Sequence, residues 1–285
     1  MISRKGFLRA TVLAAAGSAA GCTRWRREKV EAGVRFRLRT VTYNVLACTG
    51  WSPGKGPKPN AAEMPRLFAR ALAKRKPDLI TFQESPGEAV VKEIADRLGM
   101  NHAFFPSGDS WPGGVITRFE ILESKNCPAV GGKRPEDLFP RHWGRAVLRA
   151  PFGELILHSA HLHPSKDDVR TREVTAMLEA MRPDLESGKP VIFQGDLNHT
   201  PDKSMYRQWT EAGLVDVFAQ VGAGQSHTIP ADKPSARIDY VWAYGPIARR
   251  ARQCRVLFER PFRTDPDDPK SMALSDHLPV LAVFG

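Results

Sequence analysis

Apolar positions along the chain change their spacing repeatedly, and each change predicts an element. Residues Arg35 to Ala47 alternate and then turn apolar through Phe36, Leu38, Val41, Tyr43 and Val45, the two-residue period of a strand. Gly50 to Asn60 is rich in Gly, Pro and Lys and predicts a loop. Met64, Leu67, Phe68, Ala71 and Leu72 recur at helical spacing until Pro77 forbids continuation. A strand from Leu79 to Phe82 follows and ends at Gln83-Glu84, and a second amphipathic helix runs through Val90, Val91, Ile94 and Leu98. Short apolar runs at Gly113 to Thr117, Arg145 to Leu148 and Leu155 to His161 predict strands separated by Pro and Gly. Val174, Met177, Leu178 and Met181 mark a third helix and Val191 to Phe193 a buried strand. Strands are expected again at Ile238 to Trp242, Arg255 to Phe258 and Leu278 to Phe284. Helices and strands mixed throughout, without internal repeat or second linker, argue for one layered α/β or α+β domain over residues 34–285.

The first residues fit no such element. Arg4, Lys5 and Arg9 precede an alanine-rich apolar run from about Ala10 to Ala20. That run is shorter than the roughly 20 apolar residues a bilayer crossing needs. Ala19-Ala20-Gly21-Cys22 resembles the bacterial lipobox, in which the cysteine is acylated and the chain is cut on its amino side. Residues 1–21 are therefore expected to be a signal peptide of lipoprotein type, Cys22 the lipidation site, and the charged stretch 22–33 a tether. An ordinary signal peptide with a chance cysteine is the alternative. Ser3-Arg4-Lys5-Gly6-Phe7-Leu8 resembles a twin-arginine export signal with Lys in the second basic place, which leaves the export route open. The expected location is outside the cytoplasm, anchored in a membrane and facing the periplasm or cell exterior. Losing the three cations with the leader lowers the formal charge from +11 to +8. A basic surface speeds encounter with polyanions without separating nucleic acid from anionic lipid. Cys48, Cys127 and Cys254 are an odd set that cannot all pair within one chain. A monomer is expected.

Candidate chemistry gathers at the ends of buried strands, where layered folds present side chains from distant segments to one rim. Four ends are polar: Tyr43-Asn44, Gln83-Glu84, Gly195-Asp196-Leu197-Asn198 and Ser275-Asp276-His277. Singly, each has a bland reading: a turn at Asn44, a helix cap at Glu84, an Asx-turn at Asp196 and Asn198, a surface charge at Asp276. Together with Pro77-Asp78-Leu79-Ile80, Gly113-Gly114-Val115-Ile116, Ser159-Ala160-His161-Leu162, Arg237-Ile238-Asp239-Tyr240 and Leu278-Pro279, they resemble the ordered motifs of the endonuclease/exonuclease/phosphatase (DNase I-like) superfamily, from about Arg37 to Phe284. The resemblance implies an α+β fold, a four-layer α/β/β/α sandwich of two packed mixed sheets flanked by helices. It also implies metal-dependent hydrolysis of a phosphoester, a diester before a monoester.

Such a reaction needs charge neutralisation, an oriented water and help for the departing oxygen. Glu84 offers a hard oxygen ligand for Mg²⁺ (or Mn²⁺), with Asn44 and Asp276 beside it or one layer further out. By resemblance Asp196 is the base or orienter of the water, and Asn198 and Asn44 hold phosphate oxygens. His277 touches the phosphate with its far nitrogen held by Asp239, and His161 sits across from it, placed to assist the leaving group. Arg145 is a further candidate phosphate contact. His158, His161 and His163 form H-x-x-H-x-H, but on a strand His158 faces away from the other two, which strains a three-histidine zinc site. Gly50 to Lys55 fails the G-x-x-x-x-G-K-[ST] phosphate-loop pattern. Trp51 and Trp111 fall in loops near the site and could stack on a base or sugar or enter a membrane interface, whereas Trp143, Trp209 and Trp242 read as core. Open substrates are nucleic acid, a phospholipid or phosphoinositide head group, and small phosphoesters. An abasic-site repair enzyme is disfavoured, because Val45-Leu46-Ala47 after Asn44 lacks an acidic residue. A non-catalytic anionic-ligand binding protein on the same fold is the rival from another class.

Overall fold

The computed structural model describes residues 36–53, 60–107, 111–127, 137–260, 262–263, 265, 267–268 and 271–285. The expected signal peptide, Cys22 and tether lie outside them, as do parts of the loops 48–60 and 106–112. Residues Arg35–Gly285 form one compact unit.

Among the described residues the strands are β1 Leu38–Asn44, β2 Leu79–Gln83, β3 Asn101–Phe105, β4 Gly113–Thr117, β5 Glu120–Cys127, β6 Trp143–Ala150, β7 Gly153–His161, β8 Val191–Asp196, β9 Val215–Asp216, β10 Asp239–Tyr244, β11 Ala251–Val256 and β12 Val280–Phe284. The α-helices are α1 Met64–Ala73, α2 Glu88–Leu98, α3 Asp167–Glu186, α4 Ser204–Glu211 and α5 Val217–Val221. The strands form two six-stranded mixed sheets, ordered β11-β12-β1-β2-β4-β3 and β5-β6-β7-β8-β10-β9. Only β1 with β2 and β7 with β8 are parallel; every other pairing is antiparallel.

Strand alternation sorts three cores. Leu38 and Leu79 of the first sheet meet Leu148, Leu157 and Ile192 of the second. On the far face of the first sheet Val41, Tyr43, Ile80 and Phe82 pack under α1 and α2 through Phe68, Leu72, Val91 and Ile94. Behind the second, Phe193, Tyr240 and Trp242 pack with Met177 of α3 and Trp209 of α4. These layers are the four expected.

The layer between the sheets turns polar along its length. Beyond Leu38, the next residues of β1 on that face are Thr40, Thr42 and Asn44. Thr40 Oγ1 donates to Gln194 Oε1 at 2.7 Å, and Gln194 Nε2 donates to Thr81 Oγ1 at 2.9 Å, which stitches the two sheets together. Thr42 and Gln83 continue the chain of bonds toward Asn44. Buried amides and hydroxyls demand partners. This network supplies them and carries polarity from the dry core to one rim.

Candidate active site

Strand direction decides which residues reach that rim. The parallel pairs bring the C-terminal ends of β1, β2, β7 and β8 to the same edges, with Asn44 beside Gln83 and His161 beside Asp196. Antiparallel neighbours arrive there by their beginnings: β10 opens with Asp239 opposite Asp196, β6 opens opposite Ala160, and two residues separate Asp276-His277 from the start of β12. A Cβ at Gly195 would lie 1.9 Å from the Ala160 carbonyl oxygen, so only glycine lets β7 and β8 close where His161 and Asp196 emerge.

Five of the expected residues form one buried cluster. Asp196 is 1 % exposed, and its Oδ2 accepts from Asn44 Nδ2 at 3.0 Å. His161 Nε2 lies 3.3 Å from the same oxygen and His277 Nε2 3.8 Å from it. The second oxygen, Oδ1, accepts the Asn198 backbone N–H at 3.1 Å, so the carboxylate is gripped on both sides. His277 Nδ1 meets Asp239 Oδ2 at 2.9 Å. Burial opposes a charge on that ring, but the Asp239 and Asp196 carboxylates outweigh it and raise its pKa to about 10. Asp196 is pushed up by its burial and by Asp239, and only partly pulled back by His277 and Asn44.

His161 behaves oppositely. Arg141 Nη1 stands 2.8 Å from its Nε2 and 3.2 Å from its Nδ1. A guanidinium only donates, so one ring nitrogen must keep its lone pair and the ring is neutral. Burial first, then the Arg141 charge, holds its pKa well below the usual histidine value.

Glu84 borders the cluster with its side chain 13 % exposed, and its Oε1 accepts from Arg141 Nη1 at 2.9 Å. Its backbone sits at φ 47°, a left-handed conformation that costs a non-glycine residue about 1–2 kcal/mol. The carbonyl of this strained residue accepts from Ala47 N–H at 2.7 Å, which ties the turn after β2 to the turn after β1. Asn198, also left-handed at φ 53°, donates through Nδ2 to the Leu162 carbonyl at 3.0 Å. Asp276 is half-buried beside His277, its Oδ1 accepting from Ser275 Oγ at 3.1 Å.

Arg145 is a correction. It points to the opposite face of the second sheet, where its guanidinium pairs with Asp184 at 2.7 and 2.8 Å and with Glu123 at 3.1 Å. Trp143, two residues earlier on the same face, belongs to the core behind that sheet, whereas Ala146 belongs to the core between the sheets. Arg145 is thus a structural ion pair of α3 and not a phosphate contact. His158 shares that face, its Nε2 2.9 Å from Asp184 Oδ2, so it points away from His161. His163 is in the loop after β7 and its Nδ1 accepts from the backbone of Ser165 and Lys166. Trp143, Trp209 and Trp242 are buried as expected, at 1 % exposure or less.

Arg141 was not legible as a site residue. It precedes β6, and a search for polar C-terminal strand ends passes over the N-terminal ends that antiparallel pairing delivers to the rim. A basic residue two positions before an apolar strand is the signal the sequence carries.

Among the described residues, Asp196, Asp239 and His277 form a group whose ligand atoms lie within 4.8 Å of one another. A cation could be held there, but His277 would have to give up the proton that Asp239 favours. Asn44, Glu84 and Asp276, the set expected from the resemblance, provide hard amide and carboxylate oxygens at the adjoining ends of β1, β2 and β12, which is the donor chemistry Mg²⁺ prefers.

Two mixed sheets packed face to face, with carboxylates, imidazoles and amides converging on one rim, define the class as a phosphoesterase-type sandwich. The chain belongs to the Endonuclease/Exonuclease/phosphatase family, whose model matches residues 41–277. Solved structures with the same fold include a family member from Bacteroides thetaiotaomicron, 18 % identical with a TM-score of 0.67, covering 88 % of this chain and 96 % of that one. A mannosyl-6-phosphatase of the same organism is also 18 % identical at 0.67, covering 86 % and 98 %. A truncated TDP2 of Caenorhabditis elegans is 15 % identical at 0.63, covering 87 % and 97 %. Among curated proteins, the uncharacterized YbhP of Escherichia coli K12 is 23 % identical over 176 residues, 58 % of this chain and 67 % of its own length.

Proposed function

We propose that the protein hydrolyses a phosphoester with the help of Mg²⁺ or Mn²⁺. The observation that carries this reading is the meeting of Asn44, His161 and His277 on one oxygen of buried Asp196. Asp196 is the proton acceptor for the attacking water: its raised pKa brings a carboxylate closer to the neutral range where a general base works best. Asn44 and the Asn198 N–H fix its orientation. His277, charged and held by Asp239, donates Nε2–H to a phosphate oxygen as negative charge builds there. His161, neutral, donates or accepts a single hydrogen bond on the other side and is no reservoir of protons for a leaving group. Glu84 and Asp276, with Asn44 beside them, would hold the cation, which supplies charge neutralisation at the phosphate and the departing oxygen.

The test is turnover of p-nitrophenyl phosphate and its bis ester with Mg²⁺ or Mn²⁺. Asp196→Ala is expected to lower kcat/KM by about three orders of magnitude or more with the fold intact, and EDTA to abolish turnover. Full activity in the variant or in EDTA removes the assignment.

The proposal extends to location: the N-terminus directs export and Cys22 anchors the domain in a membrane. Wild-type protein is then expected in the membrane fraction of expressing bacteria and Cys22→Ser in the soluble one. Identical fractionation of the two would contradict the anchor.

A further inference from the structure

We propose that the end of the sandwich opposite the rim is a docking surface for an anionic lipid bilayer, so that the rim opens to water and takes a dissolved phosphoester rather than a lipid of that bilayer. The inference rests on the reading above, hydrolase and anchor together, and deepens it by choosing among substrate classes.

Strand direction defines this end as it defined the rim. β1 begins there and β12 finishes there, with Leu38 opposite Phe284. β10 finishes there with Tyr244 opposite Val191, the first residue of β8, and the turn from β6 to β7 passes through Phe152. The 3-10 turn Gly245–Arg250 closes the same end between β10 and β11. Arg37 precedes β1, and Arg249 and Arg250 end that turn; the first two are exposed and the third half-buried. Among the described residues no carboxylate is in ion-pair contact with any of the three. Other charges at this end are matched: Arg149 meets Glu120 at 2.7 Å, Lys189 meets Glu154 at 2.6 Å, and Arg252 donates Nε–H to the Gly285 carbonyl at 2.7 Å. Glu186 ends α3 behind the second sheet, whereas the arginines gather at the first, where the Gly285 N–H donates to the Arg250 carbonyl. A surplus of three cations remains.

The second observation is apolar. Phe36 and Phe152 are half-buried and lie ring to ring, centroids 4.3 Å apart, with the Arg250 guanidinium over Phe36 at 5.6 Å. Phe36, Arg37, Val221 and Arg252 border an open depression of about 600 Å³ beside them. Aromatic rings fringed by arginines suit a bilayer interface, where rings sit at the headgroup level and guanidinium groups reach lipid phosphates. A nucleic-acid base needs an open ring face to stack on, and these faces are turned to each other and to Arg250. The third observation is covalent. The fourteen residues from Cys22 to Arg35 lead directly to Phe36 and span at most about 50 Å. Such a tether keeps the domain near a bilayer without choosing which side meets it, and the arginines and rings make that choice. Each cation at an anionic surface strengthens binding about fivefold, so three give a contact that salt releases. That orients a tethered domain and does not hold an untethered one.

Cys22→Ser protein, which lacks the anchor, measures the surface by sedimentation with vesicles of phosphatidylcholine alone or with about one third phosphatidylglycerol, at low and high NaCl. In that background Arg37→Gln/Arg249→Gln/Arg250→Gln is expected to lose about a hundredfold in affinity for the anionic vesicles. Arg70→Gln/Arg182→Gln/Arg207→Gln, the same change of charge spread over α1, α3 and α4, is expected to lose less than about threefold. All carry the same N-terminus, so the difference belongs to the surface. Arg37→Gln/Arg249→Gln, both exposed, serves if the thermal midpoint shows that Arg250 is needed for folding. Equal losses in the two triple variants, or binding indifferent to salt or to phosphatidylglycerol, would overturn the docking surface, as would a patch variant that loses a DNA duplex and keeps the vesicles. Orientation is read on the lipidated wild type in the same vesicles: turnover of p-nitrophenyl phosphate or its bis ester is expected within about twofold of that in detergent, with no head groups released from the surrounding lipid. Head-group release at a comparable rate, or soluble turnover suppressed about tenfold by the anionic vesicles, would overturn the orientation. Protein that docks through the arginines and hydrolyses neither ester removes the hydrolase reading and leaves the docking surface standing. An active enzyme whose vesicle binding ignores the arginines does the reverse.

Discussion

Asp239 has one carboxylate oxygen engaged and one left over. Oδ2 meets His277 Nδ1, while Oδ1 is buried without a hydrogen-bond partner. A buried acceptor left unpaired costs about 1–3 kcal/mol, more when charged, so packing does not explain why the position is acidic. The charge itself does, because it holds the His277 proton. Asp239→Asn keeps the shape and removes the charge. The imidazole then loses the largest of the charges that raise its pKa, Asp196 remaining, and the ring titrates lower, toward the ordinary value of about 6.5. A raised histidine is charged below its pKa, so wild-type activity should persist well above neutral pH, and in the variant the alkaline limb should move down toward neutrality. At pH 8 we expect a loss in kcat/KM of about 10²–10⁴, as for other carboxylates that orient a catalytic histidine. An unmoved alkaline limb would separate Asp239 from His277. Glu84 follows the same logic: a left-handed glutamate at the end of a fully buried strand is tolerated because the turn it makes aims a carboxylate at the rim.

At the scale of elements, legibility followed position in the sheet. Central strands β1, β2, β7 and β8 are buried along nearly their whole length, and their apolar runs were plain in the sequence. Edge strands carry no such run. β5, at the end of the second sheet, reads Glu-Ile-Leu-Glu-Ser-Lys-Asn-Cys and is mostly exposed, and β3 ends the first sheet with alternating burial; neither was anticipated. β11, the other edge of the first sheet, spans Ala251–Val256 rather than the expected Arg255 to Phe258, because exposed Arg252 and Gln253 on its open side disguise its start. β1 stops at Asn44 although apolar residues continue to Ala47: Leu46, Ala47 and Cys48 adopt φ values of 45°, 48° and 57°, a turn that hydrophobicity does not announce. Helices α4 and α5 are short, eight and five residues, too brief for periodicity to stand out. The same contrast governs the site. Asn44 and Asp196 end central strands and were visible as polar breaks in apolar runs, whereas His161, at the end of β7, was reached through the family motif alone. Arg141 lies before a strand, and Arg145 inside the same strand faces α3, a distinction that needed the pleat and register to be known.

Across the whole molecule, buried histidines couple stability to acidity. His199 is 2 % exposed and accepts from Trp209 Nε1 through Nε2 at 3.2 Å, while its Nδ1 faces the Thr200 carbonyl at 3.3 Å. An indole only donates, so Nε2 keeps its lone pair and the ring is neutral. Burial lowers its pKa to about 4. His158 repeats the device, accepting from Trp143 Nε1 through Nδ1 at 3.2 Å, and burial lowers its pKa also. Between about pH 6.5 and 4 the unfolded chain takes up protons that folded His199 refuses, so stability falls as pH drops through that window and levels off below it. A shift from 6.5 to about 4 is worth at most about 3 kcal/mol. Other groups can be separated by sign. His277 stabilises most below 6.5 and loses its share only as pH rises through 10, so it is flat in the acid window. Asp184 has its desolvation outweighed by Arg145 and His158, is depressed, and gives up its share only below the ordinary carboxylate range. Asp196 and Glu173, both raised by burial, oppose, since the folded protein binds their protons first. His199→Gln keeps an acceptor for Trp209 and does not titrate, so a comparison with wild type cancels every group but one. Urea unfolding from pH 6.5 to 4 should cost the wild type as much as about 3 kcal/mol more than the variant, most of it between pH 6 and 4.5. Parallel curves would mean that His199 is protonated in the native state, and that this tryptophan-held ring does not contribute to the acid limit of the fold.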